Sequence, residues 1–167
     1  MALPAAMRDG MAGSSLQIPI PLGHQPTYDR DSFIVGDATR AALELIEMWP
    51  AWPAPVVVLT GPPGSGKTHL AHIWTKLAGG RLIEAAQFAE PDASVAVSGP
   101  TAIDGIDMDN IPENALFHLM NMAAEAATNL LLTSRTPVAD WQVNLPDLGS
   151  RLRLAAPAEL TAPDDAL

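Results

Sequence analysis

The run Pro55-Val56-Val57-Val58-Leu59-Thr60, continued by Gly61-Pro62-Pro63-Gly64-Ser65-Gly66-Lys67-Thr68, decides how the rest of this chain is read. Its first half is unbroken and rich in β-branched residues, as expected of a strand buried on both faces. Its second half satisfies G-x-x-x-x-G-K-[ST] at every specified position. Glycines at 61, 64 and 66 let successive backbone N–H groups curl around the phosphates of a nucleotide. The helix that follows points its positive end at the same anion. In such a loop Lys67 reaches the β- and γ-phosphates and the Thr68 hydroxyl ligates Mg²⁺. His69, the next residue, is expected to pack beside the nucleotide. Phosphate binding between a strand and a helix is therefore the first expectation.

Working outward, Gly79-Gly80 ends the helix over 67–78. Strands are expected over 81–85, 101–106 and 129–134, with a short fifth strand over 153–156. Asp37 is expected to cap a helix over 38–49 whose buried face carries Ala41, Ala42, Leu45 and Ile46. Asn110 and Glu113 have the spacing of a capping box for a helix running to about 128, with Leu116, Leu119, Met120 and Ala123 as its buried stripe. Pro146 opens a short helix over 146–152. Strands alternating with helices specify a parallel sheet covered on both faces, an α/β domain.

The second half of a phosphate-loop site is an acid at the end of a neighbouring strand. Asp104 supplies it and would hold Mg²⁺ through its water shell. A second acid often follows directly to orient the attacking water, but here that position is Gly105. Asp107, two residues on, is the remaining acid nearby. Weak or absent intrinsic hydrolysis follows as an expectation. At the end of the 129–134 strand, Ser134 is the candidate to contact the γ-phosphate or the water, and Arg135 reads equally well as a surface charge.

Composition excludes several other functions. The 167 residues carry nine basic and nineteen acidic side chains, a net charge of -10, which leaves little for a bulk electrostatic grip on nucleic acid. There is no cysteine, hence no disulfide framework, thiolate metal site or catalytic thiol. No apolar run approaches the ~20 residues that span a bilayer, and the N-terminus lacks the continuous apolar core of a secretory signal. A cytoplasmic location is expected. Residues 1–32 read as a flexible tail, 33–160 as the folded domain. Within the tail, Gln17-Ile18-Pro19-Ile20-Pro21-Leu22 stands apart: prolines hold it extended, so Ile18, Ile20 and Leu22 can fill apolar pockets at small entropic cost.

Together, Phe33-Ile34-Val35-Gly36, the GPPGSGKTHL loop, the Ile103-Asp104 strand end, LLLTS over 130–134 and LPDLGSRL over 145–152 resemble the DnaA/Hda family of AAA+ proteins. Within it the chain is most similar to the regulatory inactivators of DnaA, in their alphaproteobacterial HdaA form. The resemblance covers about residues 17–160. It implies a P-loop NTPase fold, an AAA+ base domain with sheet order 5-1-4-3-2, and ADP or ATP with Mg²⁺ as cofactors. It also implies that Gln17 to Leu22 dock on the DNA polymerase sliding clamp and that Phe33 to Gly36, with Val35 and Gly36 at its end, line the adenine pocket. Arg151 takes the place of the arginine finger that reaches a neighbouring subunit's nucleotide, with Arg153 as the fallback. The implied function is negative regulation of replication initiation by stimulating ATP hydrolysis on DnaA, with homo-oligomers possible and no specific DNA contact. The alternative is an AAA+ loader or adaptor ATPase acting on another replication protein. The family continues into a helical lid, which residues 161–167 would only begin.

Overall fold

The computed structural model describes residues 27–89, 97–109 and 111–162. Among the described residues there are four helices, α1 (Asp37–Glu47), α2 (Lys67–Ala78), α3 (Glu113–Glu125) and α4 (Pro146–Arg153), and five strands, β1 (Val56–Thr60), β2 (Arg81–Glu84), β3 (Thr101–Ile106), β4 (Leu130–Ser134) and β5 (Ala156–Glu159), with a 3-10 helix (Ala85–Ala89) following β2. The strands form one sheet in the order β2-β3-β4-β1-β5, every pairing parallel. This is the expected order read from the other edge.

Alternation along the central strands divides the core into two halves. Val57, Leu59, Ala102 and Leu131 face α1 and α2, where they meet Leu43, Ile46, Leu70 and Trp74. Val58, Ile103, Leu130 and Leu132 face the other way, onto Leu116, Leu119 and Met120 of α3 and Leu148 and Leu152 of α4. The three consecutive leucines of β4 are all fully buried because that strand is central and covered on both sides. Each contributes roughly 1.5–3 kcal/mol through burial.

The structure corrects several local expectations. Gly36, not Asp37, caps α1, and its N–H donates to Thr39 Oγ1 at 3.0 Å. The buried residues of α1 are Ala42, Leu43 and Ile46, while Ala41 faces water. Helix α3 starts at Glu113, capped by Pro112, and Asn110 lies outside the described residues. The stripe of α3 is as expected. Helix α4 runs through Arg153, with Leu154 N–H closing on Arg151 O at 3.1 Å, so β5 begins at Ala156 rather than Arg153. Pro157 is tolerated in β5 because that strand lies at the sheet edge.

The packed body starts before Phe33. The Tyr28 ring stacks on His72 of α2 at 4.1 Å and 4°. Lys76 Nζ donates to Asp29 Oδ1 at 2.6 Å. A 3-10 turn at Arg30–Ser32 is tied to α1 by the Arg30–Glu47 pair. Residues 28–32, read from sequence as the end of a tail, thus strap the outer side of α2. The Gln17 to Leu22 peptide and residues 163–167 lie outside the described residues. Among the described residues no helix is long and apolar enough to cross a membrane.

Candidate functional site

In a parallel sheet of this kind the strand ends and the helix starts share one edge, and the site lies there. A cleft of about 1130 Å³ opens at that edge. Its walls include Gly64, Lys67 and Thr68 from the phosphate loop, Asp104 and Gly105 from β3, and Thr133, Ser134 and Arg135 from β4. Sequence-distant residues meet because β1, β4 and β3 are adjacent in the sheet.

The loop itself is held tightly. Gly61 N–H donates to Ser134 O at 3.2 Å, which fixes the loop to the end of β4. Gly66 caps α2 with φ of 103°, a left-handed conformation that favours glycine. A side chain there would also press on the Phe33 ring, 3.1 Å away. Ser65 is buried, and Leu70 N–H is the first amide to close on the loop, at Gly66 O, 3.0 Å. The amides before it in the first turn of α2 have no intrahelical acceptor. Lys67 Nζ rests on the carbonyls of Gly61 and Pro62, at 2.6 and 2.8 Å. Burial, and then the Arg135 charge, push its pKa below the ordinary lysine value, against an opposing pull from Asp104.

Asp104 is bonded at both oxygens. Thr68 Oγ1 donates to Oδ2 at 2.9 Å and Thr133 Oγ1 donates to Oδ1 at 2.5 Å. Thr133 also accepts from Gly105 N–H at 2.8 Å. That last contact belongs to a β-bulge. Between the pairs Ile103/Leu132 and Ile106/Ser134, β3 has two residues and β4 has one. Gly105 takes φ of 80° to make the bulge. A second acid at this position would adopt a backbone that side chains rarely accept, so the glycine is required by the strand geometry and not merely a missing carboxylate.

The polar residue of β4 that touches Asp104 is therefore Thr133, which the sequence reading passed over. Ser134 lines the cleft, but its hydroxyl accepts from Thr136 N–H at 3.2 Å. Leu131 and Thr133 share the face that Asp104 occupies on β3, while Ser134 falls on the other face. Alternation alone would have given this once α2 was placed on that side.

His69, Val35 and Gly36 are not on the wall of the cleft. The His69 Nε2–H donates to Asp29 O at 2.8 Å, and its ring meets Phe33 edge-on at 4.9 Å. Val35 and Gly36 are exposed at the start of α1, next to Ile34, which is 88% exposed. Arg151 also lies away from the cleft. It projects from α4 onto α3, its guanidinium carbon 5.3 Å from the centre of the Phe117 ring. Arg153 folds back on its own helix, donating to Gly149 O at 3.2 Å. Glu113, expected in a capping box, instead accepts the N–H groups of Asn144 and Leu145 at 2.6 and 3.0 Å and thereby sets the entry of α4.

The donor set suits a polyphosphate: unbonded first-turn amides, a lysine without an acidic partner, and a hydroxyl beside a carboxylate. Thr68 and Asp104 could flank a Mg²⁺ ion. Among the described residues no three His, Cys, Asp or Glu side chains converge as a metal site. A cation here would take its other ligands from phosphate and water, as Mg²⁺ commonly does.

Neither a protein-family model nor a curated protein matches the sequence. Solved structures do. AMPPCP-bound DnaA from Aquifex aeolicus matches with a TM-score of 0.65 at 22% identity, over 81% of this chain and 50% of that one. Domain III of the Thermotoga maritima replication initiation protein DnaA gives 0.67 at 20% identity, over 83% and 69%. A putative primosome component from Streptococcus pyogenes serotype M3 gives 0.56 at 18% identity, over 78% and 82%. The chain spans half the length of the Aquifex DnaA structure. At such identities the likeness is one of fold, and the fold is that of domain III of DnaA.

Proposed function

We propose that this chain is a nucleotide-dependent negative regulator of replication initiation that acts on DnaA. An adenine nucleotide, with Mg²⁺, is held by the loop amides, Lys67, Thr68 and Asp104. The DnaA likeness supports this, since a DnaA of the same fold was solved with AMPPCP. Gln17 to Leu22 tether the chain to the DNA polymerase sliding clamp. Arg151 completes the hydrolytic site of an ATP-bound DnaA neighbour. A guanidinium suits that role because it stays charged and forks onto phosphate oxygens. Supplied in trans, such an arginine accelerates phosphoryl transfer by roughly 10³ to 10⁵.

One observation carries this reading. The phosphate-binding groups gather in one cleft, whereas Arg151 stands outside it on the α3–α4 surface. Arg151 is not among the residues that line the cleft, and the glycine bulge leaves no side chain directly after Asp104, although Asp107 lines the cleft two residues on. The separation of the two groups supports a reading in which the chain binds in cis and acts in trans. Arg151→Ala is expected to keep nucleotide and clamp binding while losing DnaA-stimulated phosphate release. Normal phosphate release by that variant overturns the finger. Replacing Gln17 and Leu22 with Ala is expected to weaken clamp pulldown, and an unchanged pulldown rejects the tether.

A loader or adaptor that uses its own ATP cycle has the putative primosome component on its side. Multiple-turnover ATP hydrolysis by the purified chain alone would decide for it.

A further inference from the structure

Whatever holds α4 in register decides where Arg151 stands. The helix has eight residues, too few to be stable alone. Its N-cap, Leu145, makes no side-chain capping bond. Leu148 and Leu152 are its buried residues, and they decide which of its faces turns inward. Apolar burial is non-directional, so it does not by itself fix α4 along its axis.

Glu113, the first residue of α3, supplies the missing direction. Its Oε1 accepts Asn144 N–H at 2.6 Å and its Oε2 accepts Leu145 N–H at 3.0 Å. These are the two residues directly ahead of α4. Both carboxylate oxygens are taken by main-chain donors, and among the described residues Glu113 makes no ion pair. Bonds to an ionised acceptor are short, strong and directional. Because the donors belong to the backbone, no side-chain rotation on the α4 side can follow a shift of the helix. One turn along α3, at i+4 on the same face, lies Phe117. Its ring lies under the Arg151 guanidinium, at 5.3 Å. Helix α3 therefore grips α4 at two points, a carboxylate at its start and an aromatic face beneath its arginine. Resting on the trans reading of Arg151 above, we infer that Glu113 is a positioning residue, which fixes α4 so that Arg151 is presented in the geometry a neighbour's nucleotide requires.

The test has two readouts. The chain has no cysteine, so His118→Cys on α3 and Ser150→Cys on α4, both at exposed positions, take a pair of spin labels. Glu113→Ala is expected to widen the distribution of distances between the labels. Glu113→Gln, which keeps an uncharged acceptor, is expected to widen it less. Without labels, the same Glu113 variants are titrated onto ATP-bound DnaA and phosphate release is followed. Glu113→Ala is expected to lower the maximal stimulated rate about tenfold or more, the scale of loss when a catalytic group is slightly misplaced. The concentration for half-maximal stimulation is expected to change less than about threefold. A chain that is merely destabilised would need more protein to reach an unchanged maximal rate, and that result overturns the proposal. So does an unchanged distribution of label distances. So does a rate loss matched by an equal loss of ADP affinity, since Glu113 would then act through the cleft it lines. If Glu113→Ala does not fold, Glu113→Gln carries both comparisons. Wild-type chain that fails to stimulate DnaA overturns the trans reading of Arg151, and the label distances, read without DnaA, tell that failure from a silent Glu113.

Discussion

Asp104 and Arg151 are both charged groups of the candidate machinery, and they are held in contrasting ways. Asp104 is bonded at each oxygen by a threonine, one from α2 and one from β4, and the bulge at Gly105 closes the set. Strand register puts these groups together before any ligand arrives. Among the described residues the Arg151 guanidinium meets the face of Phe117, on a surface made by two helices. The first arrangement is closed by hydrogen bonds; the second is a half-buried guanidinium resting on one aromatic face. On the proposed function, the first group serves the chain's own nucleotide and the second a neighbour's.

The largest expected effect is at the cis site. Lys67→Ala removes the ammonium nearest the loop and is expected to weaken ADP about 100-fold, from the loss of one or two charge-assisted bonds. Calorimetry measures it. Because Lys67 rests on backbone carbonyls rather than on an acid, the melting temperature of the ligand-free variant is expected to stay close to wild type. A variant that keeps full ADP affinity would remove the cleft from the functional account.

Next in size is Thr133→Val, which preserves shape and deletes the hydroxyl. It leaves Asp104 Oδ1 and Gly105 N–H without their partner. An unfolding free energy lower by about 1–3 kcal/mol is expected, with partial recovery in Thr133→Ser. Ser134→Ala removes only the bond to Thr136 N–H and is expected to cost about 1 kcal/mol or less. Urea titration of the three variants checks the ranking. Equal costs at the two positions would mean that the Asp104 network is not the rigid part of the site.

At the other pole, Arg151→Ala is expected to leave nucleotide affinity untouched and to lower stability by about 1 kcal/mol at most, the loss of one partly exposed cation–π contact. A loss of ADP binding comparable to that of Lys67→Ala would erase the contrast between the two regions.

These differences also show what a sequence can and cannot say here. The strand-loop-helix over 55–78, the bounds of β3 and the stripe of α3 were readable because they depend on local runs, turn residues and a helical period. The bulge was not, because it exists only where β3 meets β4, strands more than twenty residues apart in the chain. Thr133 was missed for the same reason: which face of β4 looks at Asp104 is a matter of register. Residues 28–32 read as tail because a polar stretch with one tyrosine has no period, and its order comes from α2 beneath it.

The outer side of α2 supplies the smallest effect and an intermediate case, a site ordered by packing but not by the sheet. His72 stacks on Tyr28, with His69 one turn before it edge-on to the same ring and the Asp29–Lys76 pair one turn beyond. Burial lowers the His72 pKa below its ordinary value of 6.5, opposed by the Asp104 charge and aided by His69. The unfolded chain therefore takes up a proton at higher pH than the folded one. The contribution of His72 is fully present above pH 6.5 and is lost as the pH falls below that value toward the folded pKa. His72→Gln removes the titration, so the loss of stability between about pH 7.5 and 5.5 is expected to be smaller in the variant than in wild type. The difference is a fraction of the Thr133 effect, since the ring is only half-buried. Urea titrations of both proteins at the two pH values measure it. Identical pH dependence would mean that protonated His72 is accommodated against Tyr28 without cost.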